Sequence, residues 1–298
     1  MNRLAKLIVL LLLLIGAVNL VSETIRNKEI RVKYAEKDKV FARKVTKNLL
    51  QDINTFQKKI GIYKQLPIKL IIAADNQEYR SFIKGSAAIL EFSEAIYNHR
   101  NKTIYIRNPR QIKNYNKIRR ILLHEYIHRF IDYFWKNPPL WFHEGMAVYF
   151  SNDFGLDREL NLIKNTLFGN SLTLEQMKSK YPENKIEWQS FYSQSALAVK
   201  YLYTRYEEDF YQLWDKALPS GNFEKVFIRS FLFTPEQFSE KFEEYSKNHS
   251  RWEMLLAFSS LVWGIMPLIL LIGWLRKKLK GRKIEKQWQE EEQEDERI

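Results

Sequence analysis

The sequence predicts an α+β domain that is flanked by two hydrophobic segments. Strand-like patterns occur early, at residues 68–73 and 103–107, and from about Lys113 onward the apolar spacing is helical. This segregation favours an α+β architecture over alternating strand–helix units. The flanking segments are apolar runs near the two ends of the chain, at residues 7–21 and 254–275.

The elements in the first part of the chain follow from local signals. An amphipathic helix is predicted over 41–60, because apolar residues recur every three to four positions and Gly61 follows as a helix stop. Pro67 introduces the first strand, and a short helix is predicted at 77–83. The stretch 84–101 shows little pattern, and the second strand follows it.

The later part of the chain is predicted to be a series of helices that form a C-terminal lobe. Their predicted positions are 113–135, 141–151, 189–205, 207–217, 221–231 and 235–247. The last helix opens with Thr234 as its N-cap and Pro235 at its first helical position.

Composition excludes several functional classes. The 298-residue chain has no cysteine, which excludes disulfides, thiolate metal sites and a cysteine nucleophile. The formal net charge of +13 is spread along the chain without a nucleic-acid-binding motif, so nucleic acid is not an expected partner. No particular oligomeric state is predicted.

The apolar run 254–275 predicts a transmembrane helix, because its length matches a bilayer core about 30 Å thick. Residues 276–283 then carry a basic run without an acid, which by the positive-inside rule lies in the cytoplasm. Residues 276–298, first basic and then acidic, are therefore predicted to form a cytoplasmic tail.

The N-terminal run predicts an export signal. Arg3 and Lys6 precede it, which is typical of a signal peptide or a signal anchor over residues 1–22, and the lack of a clear cleavage site favours the uncleaved anchor. In either case residues 23–253 are predicted to be an extracytoplasmic domain at the cell membrane. The membrane is thus an expected partner, through one or two transmembrane segments.

The pentapeptide HEYIH, residues 124–128, carries the chemistry. In a helix, residues four apart share one face, so His124 and His128 can direct their imidazoles at one point, with Glu125 beside them. Two imidazoles that bind zinc, with an adjacent carboxylate that takes a proton from water, are the arrangement of a zinc-dependent peptidase. The flanking residues are apolar, so this helix is expected to be buried.

The third zinc ligand is expected from the next helix, since a catalytic zinc needs three protein ligands and an open position. Two candidates lie there, Glu144 and His143. The pair Pro138-Pro139 can turn the chain and bring either residue back to the metal. Neighbours on a helix point about 100° apart, so both are not expected to bind together.

A second motif, W-x-x-E-G-x-A, is present as Trp141, Glu144, Gly145 and Ala147. Together with HEYIH it resembles the gluzincin branch of zinc metallopeptidases, especially the peptidase-MA-like families and, more distantly, the catalytic domain of aminopeptidase N. The resemblance implies a zincin-like fold, a zinc cofactor whose third ligand is Glu144 rather than His143, and a peptide or protein substrate.

The resemblance implies three further properties. Residues 191–196 look like a segment of aminopeptidase-like relatives whose tyrosine donates to the tetrahedral oxyanion, which gives Tyr192 that role. The strand before the active helix, 103–107 by order along the chain, would pair with an extended substrate. The G-x-M-E-N stretch that binds a free amino group in those aminopeptidases does not occur in the sequence, so an endopeptidase is expected.

The predicted function is therefore a membrane-anchored, extracytoplasmic, zinc-dependent endopeptidase. The alternative is a degenerate relative that keeps zinc for structure and acts as a binding or regulatory protein at the membrane. The intact Glu125 speaks against it, since a structural site has no use for a base. A third hypothesis makes the tail 276–298 a docking segment.

Three more residues are candidates of lesser weight. Asp132 is either a partner that orients a histidine or a solvated acid on the helix surface. His99 and His249 lie among polar residues and are expected to be surface histidines.

Overall fold

The computed structural model describes residues 22–26, 30–83, 93–108, 110, 112, 114–153 and 172–295. The chain divides into two compact units, unit 1 at residues 1–244 and unit 2 at residues 245–298. Unit 1 contains all the predicted site residues. The predicted export signal over residues 1–22 lies outside the described residues, apart from Ser22.

A five-stranded mixed sheet forms in unit 1. Its strands are β1 (Ser22–Arg26), β2 (Ile30–Ala35), β3 (Ile68–Ile72), β4 (Ala95–Asn98) and β5 (Thr103–Ile106). The spatial order is β1-β2-β3-β5-β4; β2, β3 and β5 are parallel, and β1 and β4 are antiparallel to their neighbours. Among the described strands, β4 is therefore an edge of the sheet, with Tyr97 opposite Ile104 on β5.

Helices follow and separate these strands. They are α1 (Lys39–Ile60), α2 (Asn76–Phe82), α3 (Tyr115–Phe134), α4 (Leu140–Phe150), α5 (Lys185–Arg205), α6 (Glu207–Asp215), α7 (Phe223–Phe231) and α8 (Pro235–Asp295). A short parallel pair, β6 (Trp135–Lys136) with β7 (Gly221–Asn222), begins where α3 ends.

Local signals fix the ends of α1 and α3. Helix α1 ends at Gly61, whose φ of +76° lies in the left-handed region that favours glycine, and the Gly61 N–H donates to carbonyls of the last turn. Helix α3 begins after Asn114, whose side chain accepts hydrogen bonds from two N–H groups of the first turn. The two helices pack through Phe56 and Phe130, whose ring centroids are 5.1 Å apart.

Helices α4 and α5 approach so closely that only glycine fits at position 145. A Cβ on Gly145 would lie 2.7 Å from Cγ2 of Val199 and would collide with the backbone of Ser195. Both residues of α5 are buried. This contact fixes the position of α4, and with it the neighbouring Glu144.

The predicted fold class is wrong on two points. Strands and helices are not segregated, because α1 connects the parallel neighbours β2 and β3 as a crossover helix, and unit 1 is a mixed α/β structure with a small sheet. In the part of the chain that the structure describes, no helix is long and apolar enough to cross a membrane. The flanking membrane segments of the predicted fold, including 254–275, are thus not seen.

Apolar side chains are exposed along α8 from Ile265 to Leu275. The predictions of export and of a cytoplasmic tail stay predictions.

Most predicted elements are present, with ends that differ by a few residues. Strands 68–73 and 103–107 correspond to β3 and β5, and every predicted helix has a counterpart. The helix predicted at 235–247 continues much further, to Asp295. Strands β1, β2 and β4 were not predicted, and β4 lies inside the stretch 84–101 that shows little pattern.

Candidate metal centre

Helix α3 places the two histidines of HEYIH on one face. The ring centroids of His124 and His128 are 4.7 Å apart, and their planes are nearly perpendicular, at 87°. His128 is buried and His124 is half-buried. The apolar neighbours Leu123 and Ile127 are buried, which confirms the prediction that this helix lies inside the domain.

Helix α4 brings Glu144 to the same point. The first two backbone N–H groups of the helix donate to the carbonyls of residues 177 and 178, which anchors its start. Oε2 of the buried Glu144 lies 3.6 Å from Nε2 of His124 and 3.6 Å from Nε2 of His128. Three potential ligand atoms from two helices therefore converge.

The spacing of these atoms fits a metal ion. Oε2 of Glu144 is buried and has no hydrogen-bond partner among the described residues, and 3.6 Å is too long for a hydrogen bond to either imidazole. Ligand atoms about 2.1 Å from one tetrahedral metal lie about 3.4 Å from one another. His124, His128 and Glu144, whose ligand atoms all lie within 4.8 Å of one another, could therefore hold a metal ion.

Electrostatics favour the metal-binding forms of two of these ligands. Burial acts to raise the pKa of Glu144, but the facing imidazoles of His128 and His124 hold it well below its usual range. Burial holds the pKa of His128 well below its usual range, so this imidazole is neutral. Burial also acts to lower the pKa of His124, but the Glu144 and Glu125 carboxylates outweigh it and raise that pKa. A metal ion therefore competes with a proton on His124.

A tyrosine that the sequence did not single out reaches this centre. The hydroxyl of Tyr181 donates to Oε1 of Glu144 at 2.5 Å, and the Tyr181 ring stacks on Trp188 with centroids 4.9 Å apart. The hydrogen bond occupies one oxygen of Glu144 and leaves Oε2 toward the histidines. Burial and the Glu144 charge raise the pKa of Tyr181, so the phenol stays protonated and can donate.

Glu125 lies beside the ligands, and its carboxylate is half-buried. Its Oε2 accepts a hydrogen bond from the Tyr97 N–H of strand β4 at 2.6 Å. Burial is the main cause that raises the pKa of Glu125 to about 7, while the neighbouring His124 acts in the opposite direction. A carboxylate with such a pKa can both accept and return a proton near neutral pH.

Tyr192, the predicted oxyanion donor, lies on α5 in an aromatic cluster. Its ring contacts Trp188 at 5.5 Å and Phe191 at 5.7 Å between centroids. Trp188 also stacks on Tyr181, so the cluster connects Tyr192 with the tyrosine that contacts Glu144. The oxyanion role of Tyr192 stays a prediction.

His143, the other candidate for the third metal ligand, does not join the group formed by His124, His128 and Glu144. Its Nε2 lies 3.2 Å from Oδ1 of Asp132, and its ring stacks on His128 with centroids 4.5 Å apart and planes at 7°. The group that could hold a metal thus contains Glu144 and not His143. The stacking supports the orientation of the His128 ring.

Asp132 and His99 extend the site beyond the three potential ligands. Asp132 does orient histidines, since its Oδ2 lies 2.6 Å from Nδ1 of His99 and its Oδ1 contacts His143. His99, which was expected to be a surface histidine, is exposed but is also connected through Asp132 and His143 to the ring of His128. No sequence signal joins these residues, because His99 and Asp132 are distant along the chain.

The strand expected to pair with substrate needs a correction. Strand β5, which corresponds to 103–107, is paired on both sides, with β3 and with β4, and has no open edge. The strand at the edge and against the site is β4, which supplies the Tyr97 N–H to Glu125. The order of elements along the chain predicted β5 as the strand that pairs with substrate, but in the β4–β5 hairpin the edge strand is β4.

These groups together permit a defined chemistry. A metal held there would have two imidazoles and one carboxylate as protein ligands, and the carboxyl of Glu125, whose pKa is about 7, lies next to them. No protein-family model and no curated protein matches the chain.

Proposed function

We propose that this protein is a zinc-dependent peptidase of the gluzincin type that cleaves internal peptide bonds. The observation that carries the proposal is the convergence of His124 Nε2, His128 Nε2 and Glu144 Oε2, with 3.6 Å between each nitrogen and the oxygen. Glu125 adds a carboxylate at the adjacent position of α3. The resemblance of HExxH and W-x-x-E-G-x-A to the gluzincin motifs gives these groups their proposed roles.

Zinc is the metal that the donor set supports best. Two imidazole nitrogens with one carboxylate oxygen are a ligand set typical of catalytic zinc, whereas magnesium and calcium prefer oxygen ligands alone. When bound, zinc would supply Lewis acidity to a peptide carbonyl and would lower the pKa of water. The ionised Glu144 and the neutral His128 match the forms that bind such an ion.

Glu125 is the proposed general base and then general acid. Its pKa of about 7 suits it to take a proton from the attacking water and to deliver it to the departing amine. The Tyr97 N–H holds its Oε2, which leaves the other carboxylate oxygen to exchange the proton. In this proposal Tyr192 donates to the oxyanion, and Tyr181 orients Glu144.

Strand β4 is the proposed surface for an extended peptide. The Arg107 N–H donates to the Glu94 carbonyl, so by alternation the backbone groups of Ala95 and Tyr97 face away from β5. Glu125 takes the Tyr97 N–H, and the Ser93 hydroxyl donates to the Ala95 carbonyl. The Ala95 N–H and the Tyr97 carbonyl have no partner among the described residues and are left to pair with a substrate backbone.

The alternative is a metal-binding protein without catalysis, with a regulatory or binding role. The placement of Glu125 argues against it, because a half-buried carboxylate with a raised pKa costs stability in the folded protein. A protein that keeps the metal only for structure would be more stable with an uncharged residue in place of Glu125.

The test compares the full-length wild type with two variants. Purified protein is loaded with zinc, its metal content is measured, and hydrolysis is followed with an unfolded, fluorophore-labelled protein substrate. Glu144→Gln is expected to lose zinc. Glu125→Gln is expected to keep zinc and to lose hydrolysis by about 100-fold or more.

The control is His249→Gln, which removes a histidine that stacks on Tyr245 in unit 2 and is expected to leave both readouts unchanged. Hydrolysis by Glu125→Gln at the wild-type rate would refute the assigned base. Zinc binding by the wild type without hydrolysis of any unfolded protein would favour the alternative function.

A further inference from the structure

His99 lies close to the candidate metal centre but has no role in the proposed mechanism. It directly follows the edge strand β4, and its side chain is 60% exposed. Its Nδ1 is held by Asp132 at 2.6 Å, and its ring packs edge-on against Tyr97 with centroids 5.0 Å apart. The ring is thus fixed on one side, and its Nε2 has no partner among the residues that the structure describes.

Asp132 is a strong anchor for this ring. Burial acts to raise the pKa of Asp132, but the hydrogen bonds from His143 and His99 hold it below its usual range, so it is a carboxylate. The hydrogen bond to Asp132 in turn raises the pKa of His99, with further contributions from the charges of Glu125 and Glu144. An imidazolium that donates from Nδ1 to Asp132 has a second N–H at Nε2 to offer to an acceptor.

The turn that begins with His99 carries further positive charge. Residues 99–102 connect β4 to β5 with the sequence His-Arg-Asn-Lys, and all are exposed. This turn contains two cations besides His99, Arg100 and Lys102, and no acid. A peptide that pairs with the outward groups of β4 would pass this basic turn.

We propose that His99, held by Asp132, binds a carboxylate of the peptide substrate at the end of strand β4, with Arg100 and Lys102 adding to the attraction. This inference rests on the proposed peptidase function for its ligand. The carboxylate can come from two sources, the C terminus of the peptide or an acidic side chain. A fixed imidazole N–H beside an open strand edge serves either source, since both present the same acceptor oxygens.

The test measures peptide binding by fluorescence anisotropy on the zinc-loaded full-length chain. Glu125→Gln serves as the background, so that peptides stay intact. Versions of one labelled peptide differ only in a free C-terminal carboxylate or an amide, and in a glutamate or a glutamine at one internal position. We expect one carboxylate-bearing version to bind about fivefold more tightly than its neutral counterpart.

The variants then assign this preference. Adding His99→Gln is expected to abolish the preference while zinc content stays unchanged, and adding His249→Gln is expected to preserve it. If His99→Gln abolishes the preference for the free C terminus over the amide, the C terminus is the source of the carboxylate. If it abolishes the preference for glutamate over glutamine, the acidic side chain is the source. Equal binding of all versions, or a preference that survives His99→Gln, would overturn the inference.

Parallel cleavage assays separate this inference from the proposed function. If the wild type cleaves the peptides without any carboxylate preference, the peptidase proposal stands and the His99 inference fails. If the carboxylate preference is seen and depends on His99, but the wild type cleaves none of the peptides, the binding site stands and the peptidase proposal fails.

Discussion

The Glu125 carboxylate couples protein stability to pH because it is half-buried. In the metal-free folded protein its pKa is about 7, against 4.5 for an ordinary glutamate, so the folded state binds its proton more tightly than the unfolded state. The cost of ionising it is absent below pH 4.5, grows between the two values and is complete above about pH 7. Burial thus destabilises the metal-free protein at alkaline pH.

Glu125→Gln is therefore expected to stabilise the metal-free protein while abolishing hydrolysis. Glutamine keeps an acceptor for the Tyr97 N–H but carries no charge at any pH. At about pH 8 the free energy of unfolding should rise by about 2 kcal/mol, and near pH 5 the gain should be small. Urea unfolding of the metal-free proteins at both pH values measures this. An equal gain at both pH values would contradict burial as the cause.

Tyr181 holds one oxygen of Glu144, a potential metal ligand, from a distant part of the chain. Tyr181→Phe removes the hydroxyl that donates to Oε1 of Glu144 and leaves the carboxylate free to rotate. We expect zinc affinity to fall by about tenfold. Removing a hydrogen-bond partner of a metal ligand usually lowers metal affinity by at least this factor. Titration against a chelator of known affinity measures the change.

The matched control for this variant is Tyr63→Phe, since Tyr63 is 68% exposed and lies in the segment after α1, outside the site. It is expected to leave zinc affinity unchanged. An unchanged affinity in Tyr181→Phe would show that packing alone holds Glu144 in place.

At the scale of elements, the contact between α4 and α5 determines whether Glu144 reaches the histidines. Gly145→Ala would place a Cβ 2.7 Å from Cγ2 of Val199 and against the Ser195 backbone, so α4 has to shift. We expect a loss of about 1 to 3 kcal/mol in the free energy of unfolding, together with weaker zinc binding. Thermal unfolding and zinc titration of the same variant test both effects.

Gly273→Ala is the control for this substitution. Gly273 is also a helical glycine, but a Cβ there would meet no atom within 4 Å. Because alanine favours helix by about 1 kcal/mol over glycine, this variant should be neutral or slightly stabilised. If Gly145→Ala behaved like Gly273→Ala, close helix contact would not explain the glycine.

Helices and the buried strands were predictable because their signals are local. The spacing of His124 and His128 follows from helix geometry, so their common face needed no tertiary information. Strand β2 had a usable signal, since Ile30, Val32 and Tyr34 alternate with polar residues and are buried. Strand β4, with the sequence AIYN, is too short and too mixed to be recognised from composition.

The remaining site residues could not be predicted, because they meet through tertiary contacts. Tyr181 reaches Glu144 across 37 positions of the chain, and His99 reaches Asp132 across 33. Neither pair lies within one helix, where a fixed spacing would reveal it. The choice of β5 over β4 failed for the same reason, since the order of strands in a sheet depends on pairing and not on sequence order.

At the scale of the whole molecule, a bound metal would connect α3 to α4 within unit 1. All three potential ligands lie on these two helices, at 115–134 and 140–150, and the neighbouring Glu125 is held by β4. Residues 245–298 form a separate compact unit and contribute none of the ligands in the described part of the chain. Zinc is therefore expected to stabilise unit 1 selectively.

Hydrogen exchange of the full-length chain with and without zinc tests this expectation. A ligand that binds only the folded state adds about 4 kcal/mol at a thousandfold excess over its dissociation constant. We expect slower exchange with zinc in peptides from α3, α4 and β4, and no change in peptides from residues 245–295. Glu144→Gln should show the metal-free pattern under both conditions, because its side chain no longer supplies an anionic ligand. Uniform protection of both units by zinc would contradict a site confined to unit 1.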